Sequence, residues 1–312
     1  MIPTCSYAPR ALPFSVREGL TCFHPLFGIS AHPLCSAVVL FLSDMHFGGS
    51  EAPERDREAE ADLVRCLRTH RDNLTHVYLG GDVFDAFIEY PSLVPKGFIR
   101  FQAEIASLTD AGIPVTYLLG NHDPWHRDYF ASELGVNVVP DHCIHTHTFS
   151  DASGEDVSVR VFCAHGDAQA GSAGGLTTRL RGLLRHPACV WLYRSLFPGD
   201  TGFRFAQRIS HRMHDRSVNP ALVRALDDHA ASRLASSEID LVVMGHTHFA
   251  CLKTHAGGAY LNTGTWKGER TFGRLARSGI HLAQWNGSRA EVIESTDLPI
   301  PTRRTTTSPR HP

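Results

Sequence analysis

Short apolar runs, each ending in a turn rich in Gly, Asp, Asn or His, set the rhythm of this chain. The six consecutive apolar residues at 37–42 read as a strand buried on both faces. Further strands are expected at 75–79 and 114–119. Between them, Leu63, Val64, Cys66 and Leu67 fall at helical spacing, which predicts an amphipathic helix within 51–71. A second helix is predicted over 96–110, stopped by Ala111-Gly112. Strand, polar loop, helix, strand in units of about forty residues predicts an α/β sheet with right-handed crossovers. From Val136 the period shortens to two: segments 136–139, 143–149 and 157–161 alternate, with a hairpin turn at 151–154. This predicts a run of antiparallel strands. A buried strand follows at 239–244, and strands at 259–266 and 279–285 are expected to close a second sheet.

Composition narrows the picture. The 312 residues are 42% hydrophobic and 20% charged, with net charge −2, which suits one large core or two smaller ones. Near-neutral charge argues against bulk capture of nucleic acid, so no nucleic-acid partner is expected, and no obligate protein partner is inferred. None of the eight cysteines forms Cys-x-x-Cys, and reduced thiols are the expectation. Residues 20–43 carry no charged side chain, but His24, Pro25, His32 and Pro33 interrupt them. The reading is neither a spanning helix nor a cleavable leader, but a loose N-terminal extension over 1–36. The composition of 298–312 predicts a disordered tail.

The candidate chemistry sits where the strands end. Asp44 and His46 follow the first strand two residues apart, so both side chains can face one object. Four more strand ends carry similar groups: Gly81-Asp82, Gly120-Asn121-His122-Asp123, His165-Gly166-Asp167 and Gly245-His246-Thr247-His248. Ligands of open α/β sheets gather beyond the carboxyl ends of strands. Imidazole and carboxylate donors suit Zn, Mn or Fe, and this set suffices for two divalent cations. A shared carboxylate, assigned to Asp82, would hold them at about 3.5–4 Å, the spacing used for in-line phosphoryl displacement.

The ordered set D-x-H, G-D-x-x-D, G-N-H-D, H-G-D and G-H-T-H resembles the calcineurin-like metallophosphoesterase superfamily over residues 37–290. The resemblance implies a four-layer α/β/β/α sandwich, with the domain spanning 37–297. It implies one metal on Asp44, His46, Asp82 and His248, and another on Asp82, Asn121, His165 and His246. A metal-bridging hydroxide would attack phosphorus. His122 would stabilise the transition state or protonate the leaving group, with Asp123 orienting it or serving as a turn-stabilising aspartate.

Residues 168–236 form a helical insert with ten arginines, no lysine and four aspartates. Arg185-His186-Pro187, Leu196-Phe197, Ala206-Gln207-Arg208-Ile209 and Arg212-Met213 with Ser217 resemble the lid of the UDP-2,3-diacylglucosamine pyrophosphatases of lipid A biosynthesis. That resemblance implies cleavage of UDP-2,3-diacylglucosamine to UMP and 2,3-diacylglucosamine 1-phosphate. Manganese is the expected metal, with Fe, Zn or Mg as alternatives. The resemblance also implies cytoplasmic placement with peripheral contact to the inner membrane through the lid, and substrate contacts from Asp167, Arg212 and Ser217. Two features depart from the pattern: typical members have arginine where this chain has His122, and His214 replaces a second basic residue of the lid. The alternative is therefore a metallophosphoesterase acting on small soluble nucleotide phosphodiesters or phosphomonoesters. A non-catalytic scaffold on the same fold predicts eroded donors, and here all are present.

Overall fold

The structure, a computed structural model, describes residues 37–150, 155–171, 181–197, 199–213, 218–236 and 238–297, except the side chains at 209 and 211–213. The expected extension at 1–36, hairpin turn at 151–154 and tail at 298–312 lie outside these described residues.

Seven strands form the first sheet. β1 (Val38–Leu42), β2 (Leu74–Leu79), β3 (Val115–Leu118) and β4 (Asn137–Val139) run parallel. The second sheet begins with the antiparallel pair β5 (His142–Ser150) and β6 (Asp156–Ala164). It continues with β7 (Leu241–Met244), β8 (Cys251–His255) and β9 (Gly258–Asn262) in the order β5-β6-β7-β9-β8. The chain then returns to the first sheet. β10 (Thr271–Ala276) pairs antiparallel with β1, followed outward by β11 (Gly279–Trp285) and β12 (Ala290–Thr296).

Side-chain alternation along β1 shows how the layers are built. Val38, Leu40 and Leu42 pack with Leu63, Cys66 and Leu67 of α1 (Pro53–His70) and with Phe101, Ile105 and Leu108 of α2 (Ile99–Asp110). Val39 and Phe41 share a second cluster with Val161 and Cys163 of β6, Leu241 and Val243 of β7, and Leu261 of β9. That cluster holds inward-facing residues of both sheets. Gly273 on β10 permits the close approach, since a Cβ there would run into Leu261 and Phe41. Phe162, Val242, Met244 and Tyr260 point the other way, onto a further helix.

The start of α1 carries Pro53 in its first turn with Glu54 and Asp56, and its last turn carries Arg68 and His70, charges that suit the helix dipole. The short α3 (Tyr129–Ser132) precedes β4. Residues 181–184 are helical, followed by α4 (Pro187–Leu196), α5 (Gly199–Met213) and α6 (Pro220–Ala235). Asn219 caps α6 by accepting from the backbone N–H of Ala221 at 3.0 Å. Among the described residues no helix is long and apolar enough to cross a membrane.

Three sequence expectations need correction. β4 is not part of an antiparallel run but a parallel edge of the first sheet. The strand at 279–285 extends the first sheet rather than closing the second, because the chain crosses back after β9. The stretch 168–236 is not one lid: Leu226, Ala230 and Leu234 of α6 are buried against β6, β7 and β9. A parallel connection from β6 to β7 needs a crossover, and α6 supplies it. α4 and α5 are the part that lies elsewhere.

Candidate metal centre

The donors follow directly on strand ends. Asp44 lies two residues past β1, Asp82 three past β2, Asn121 three past β3, His165 one past β6 and His246 two past β7. Backbone bonds tie these turns together: Asp44 N–H donates to Gly81 O at 3.1 Å, His46 N–H to Asp82 O at 2.9 Å, and Gly245 N–H to His165 O at 2.9 Å. Asp44, His46, Asp82 and His165 are buried.

The seven expected donors converge. Asp44, His46 and His248 place one ligand atom each within 4.8 Å of one another, and Asp82, His165 and His246 form a second such group. Asp82 Oδ2 lies between them, 3.3 Å from His165 Nε2 and 3.8 Å from His46 Nε2. Asn121 Oδ1 is 3.2 Å from His165 Nε2, and the Nε2 atoms of His46 and His248 face each other at 3.1 Å. His165 donates from Nδ1 to Gly80 O at 2.8 Å, which turns Nε2 toward the cluster. Buried Asp44 Oδ1 has no hydrogen-bond partner among the described residues; His248 Nε2 lies 3.2 Å away. A buried carboxylate oxygen facing imidazole lone pairs fits a divalent cation better than it fits a hydrogen-bond network.

Electrostatics and backbone both show strain. Burial works against a charge on Asp44, but the neighbouring His248 imidazole outweighs it and brings the carboxyl to about 2. Burial likewise opposes a charge on His165, yet the neighbouring Asp82 carboxylate raises it to about 10. His246 is lowered to about 4 by burial and by His165. Seven described non-glycine residues have positive φ. Five are Asp44 (53°), His46 (46°), Asp82 (50°), His246 (68°) and His248 (55°). Such backbone is unfavourable by about 1–3 kcal/mol per residue and persists where the surroundings over-determine it.

His122 stands beside this cluster, its ring edge-on to His46 at 4.8 Å between centroids. The backbone N–H of His122 donates to Asp82 Oδ1 at 2.9 Å. Asp123 does not orient it. The Asp123 carboxylate accepts from Val83 N (2.8 Å), Phe84 N (3.3 Å), Asp82 N (3.3 Å), Gly120 N (2.9 Å) and Tyr117 OH (2.5 Å), so its lone pairs are spent clamping the turn after β2. The catalytic role expected of Asp123 gives way to the turn-stabilising one. Burial, then the Asp82 charge, raises the Asp123 carboxyl to about 6.

The Asp85 carboxylate lies nearer to both rings, with Oδ1 at 3.7 Å from His46 Nδ1 and 3.9 Å from His122 Nδ1. It is the second aspartate of G-D-x-x-D, a signal in the sequence that does not by itself point to His122. Asp167 is buried and held by Arg181 Nε at 2.7 Å and Arg185 at 3.3 Å. Arg185 also donates to the carbonyl of Gly120 at 2.7 Å, bracing the loop that carries Asn121. Arg212 lies on α5 with its side chain outside the described set, and Ser217 lies outside the described residues. Beside His122 opens a cavity of about 370 Å³, walled by Phe87, Ile88, Leu184 and Phe205 and reached by Arg181 and Arg185.

Two mixed sheets that aim imidazole, amide and carboxylate donors from five strand ends at one point define a metal-dependent hydrolase. The chain belongs to the calcineurin-like phosphoesterase family, whose profile matches residues 37–250, and it is a phosphoester hydrolase. It is similar to a UDP-2,3-diacylglucosamine hydrolase of Porphyromonas gingivalis, 28% identical over 230 residues covering 67% of this chain and 82% of the relative. Proteins of the same name from Pseudomonas entomophila (27% over 213 residues; 68% and 82%) and Vibrio vulnificus (25% over 212; 67% and 80%) are also similar. Among solved structures, the Escherichia coli phosphoesterase YfcE is 15% identical with TM-score 0.40, covering 84% of this chain and 99% of that one. Vacuolar protein sorting 29 of Cryptosporidium parvum is 14% identical with TM-score 0.42, covering 84% and 98%.

Proposed function

We propose that the chain is a two-metal hydrolase that cleaves the diphosphate of UDP-2,3-diacylglucosamine to UMP and 2,3-diacylglucosamine 1-phosphate. The observation that carries the lipid half of this reading is the apolar cavity opening on Asn121 and His122. Walls of Phe87, Ile88, Leu184 and Phe205 suit an acyl chain. The names of the similar bacterial hydrolases support the same substrate.

Asp44, His46, Asp82 and His248 would hold one divalent cation, and Asp82, Asn121, His165 and His246 the other. Manganese is the first metal to test, with Fe, Zn and Mg behind it. Such a pair, when bound, supplies a water-derived nucleophile near neutral pH and neutralises charge on the phosphoryl oxygens. The chain's own residues do the rest. Asp82 spans the two groups, and its Oδ1 holds the backbone of His122 in place. His122 offers a ring nitrogen to the transition state or the leaving group. Arg181 and Arg185, ion-paired with Asp167 and Asp141, place guanidinium groups at the cavity, the group that pairs with a diphosphate. Outside the cavity, Trp191 (68% exposed), Leu192 and Leu196 (65%) on α4 form an apolar face beside Arg194, suited to peripheral contact with an anionic membrane.

His122 favours the alternative, a soluble phosphodiester or phosphomonoester, because the lipid-cleaving relatives' pattern has arginine there. The test is to incubate manganese-loaded protein with UDP-2,3-diacylglucosamine and, separately, with soluble nucleotide diesters, reading products by mass. UMP and acylated sugar phosphate support the proposal. Turnover of the diesters with the lipid left intact would overturn it.

A further inference from the structure

We propose that Ser210, on α5 of the insert, is a positioning residue that fixes the tautomer and orientation of the His122 ring. The insert would then complete the reaction centre as well as cover it. The inference rests on the proposed role of His122 but on no particular substrate.

The argument is one of hydrogen-bond accounting. Ser210 Oγ lies 2.7 Å from the carbonyl oxygen of Asp85 and 2.7 Å from His122 Nδ1. A carbonyl oxygen only accepts, so the single hydroxyl proton of Ser210 goes to Asp85. Toward His122 the hydroxyl therefore acts as acceptor, and Nδ1 must carry a hydrogen. The Asp85 carbonyl, 3.2 Å from the same Nδ1, is a second acceptor and demands the same tautomer. The lone pair of the neutral ring then sits on Nε2, and that nitrogen takes or gives the exchangeable proton without the ring turning over.

Position strengthens the case. Ser210 is buried at 8% exposure, so water does not readily replace its hydroxyl. Ala206 and Ser210 stand one helical turn apart on α5, and both line the cavity beside His122. The bond joins residues 88 apart in sequence, from the helical insert to the turn after β3. An occupant of the cavity that shifts α5 therefore shifts the acceptor on which the His122 ring is hung. Seating of substrate and readiness of the ring become one event.

The test uses full-length protein with Ser210→Ala, Ser210→Thr and His122→Ala, and the double variant Ser210→Ala/His122→Ala. Manganese-loaded enzyme is assayed on bis(p-nitrophenyl) phosphate. Ser210→Ala is expected to lower kcat about tenfold with KM within about twofold, as loss of one positioning hydrogen bond implies. Ser210→Thr, which keeps the hydroxyl, restores kcat. In the His122→Ala background Ser210→Ala changes nothing further, because the ring it served is gone. A second readout needs no metal: ¹⁵N-edited imidazole spectra of the metal-free protein, with His122 identified by its disappearance in His122→Ala. The wild type and Ser210→Thr should show the Nδ1-protonated pattern, and Ser210→Ala, left with only the longer contact to the Asp85 carbonyl, should show ring signals shifted toward a mixture of the two tautomers. An equal fall in kcat with and without His122, or unchanged ring signals in Ser210→Ala, would overturn the proposal. Full activity of His122→Ala would instead overturn the role given to His122 above, while the spectra still report on the Ser210 contact.

Discussion

Replacing Asp123 by alanine separates a clamp from a catalyst. The change removes an acceptor of five hydrogen bonds, four from backbone N–H groups of the two turns that carry Asp82 and Asn121, and one from the buried Tyr117 hydroxyl. Each donor left unsatisfied in the interior costs about 1–3 kcal/mol, so the loss is about 5–15 kcal/mol before any relief. Relief comes from removing a buried charge. Burial holds the carboxyl at about 6, against 3.8 for an ordinary aspartate, which at neutral pH corresponds to roughly 3 kcal/mol. The donors win, and Asp123→Ala is expected to destabilise by at least about 2 kcal/mol. Urea unfolding of metal-free protein measures this directly, as a lower midpoint at similar slope. Metal content and turnover should fall with it, since the Gly81-Asp82 turn loses its anchor. A variant with an unchanged midpoint and full metal content, but depressed kcat, would refute the clamp and return Asp123 to a catalytic part.

Asp82→Ala should remove both metal and turnover, and retained activity with full metal content would contradict its shared position. In the parent protein, manganese at about a hundredfold over its dissociation constant should add about 2.7 kcal/mol to unfolding stability, read by the same titration. Gly245→Ala should weaken metal binding, because a Cβ there collides with Ser43 Oγ and Asp44 Oδ2; metal titration by calorimetry would show it, and unchanged affinity would not fit. His126 has both ring nitrogens buried without a partner among the described residues, and burial, then Arg194, lowers it to about 3. Its folded form stays neutral while the unfolded chain takes up a proton below about 6.5, so stability falls as pH drops from 7 toward 4, by up to about 1.4 kcal/mol per unit. His126→Phe, which keeps a ring against Phe87 at its 4.2 Å stacking position, should flatten that slope; parallel curves for parent and variant would refute it.

What could be read in advance was whatever a local pattern encodes. The apolar run at 37–42 became β1, buried on both sides because α1 and α2 cover one and the second sheet the other. The helices expected within 51–71 and 96–110 appeared as Pro53–His70 and Ile99–Asp110. Five turn motifs announced the donors, since each needs a strand end and a particular pair of side chains. Sheet membership was different: β4 and β11 have ordinary strand patterns, and nothing in an alternating run says which neighbour it will pair with. α6 was hidden inside an arginine-rich stretch because only Leu226, Ala230 and Leu234, a narrow stripe, mark it as core. The partners of His122 were illegible for the same reason. Asp123 is adjacent in sequence and looked like the orienting group, whereas Asp85 and Ser210 reach the ring through the fold.

The left-handed backbone at Asp44, His46, Asp82, His246 and His248 has a consequence for how this protein tolerates mutation. Glycine would relax every one of those positions and erase the donor; most other side chains would lose the donor and keep the torsional penalty. Asparagine and aspartate accept the conformation more readily and still present an oxygen. The routes by which drift can leave this constellation are thus nearly closed from two directions at once, and the least damaging single step away from either aspartate is to its own amide.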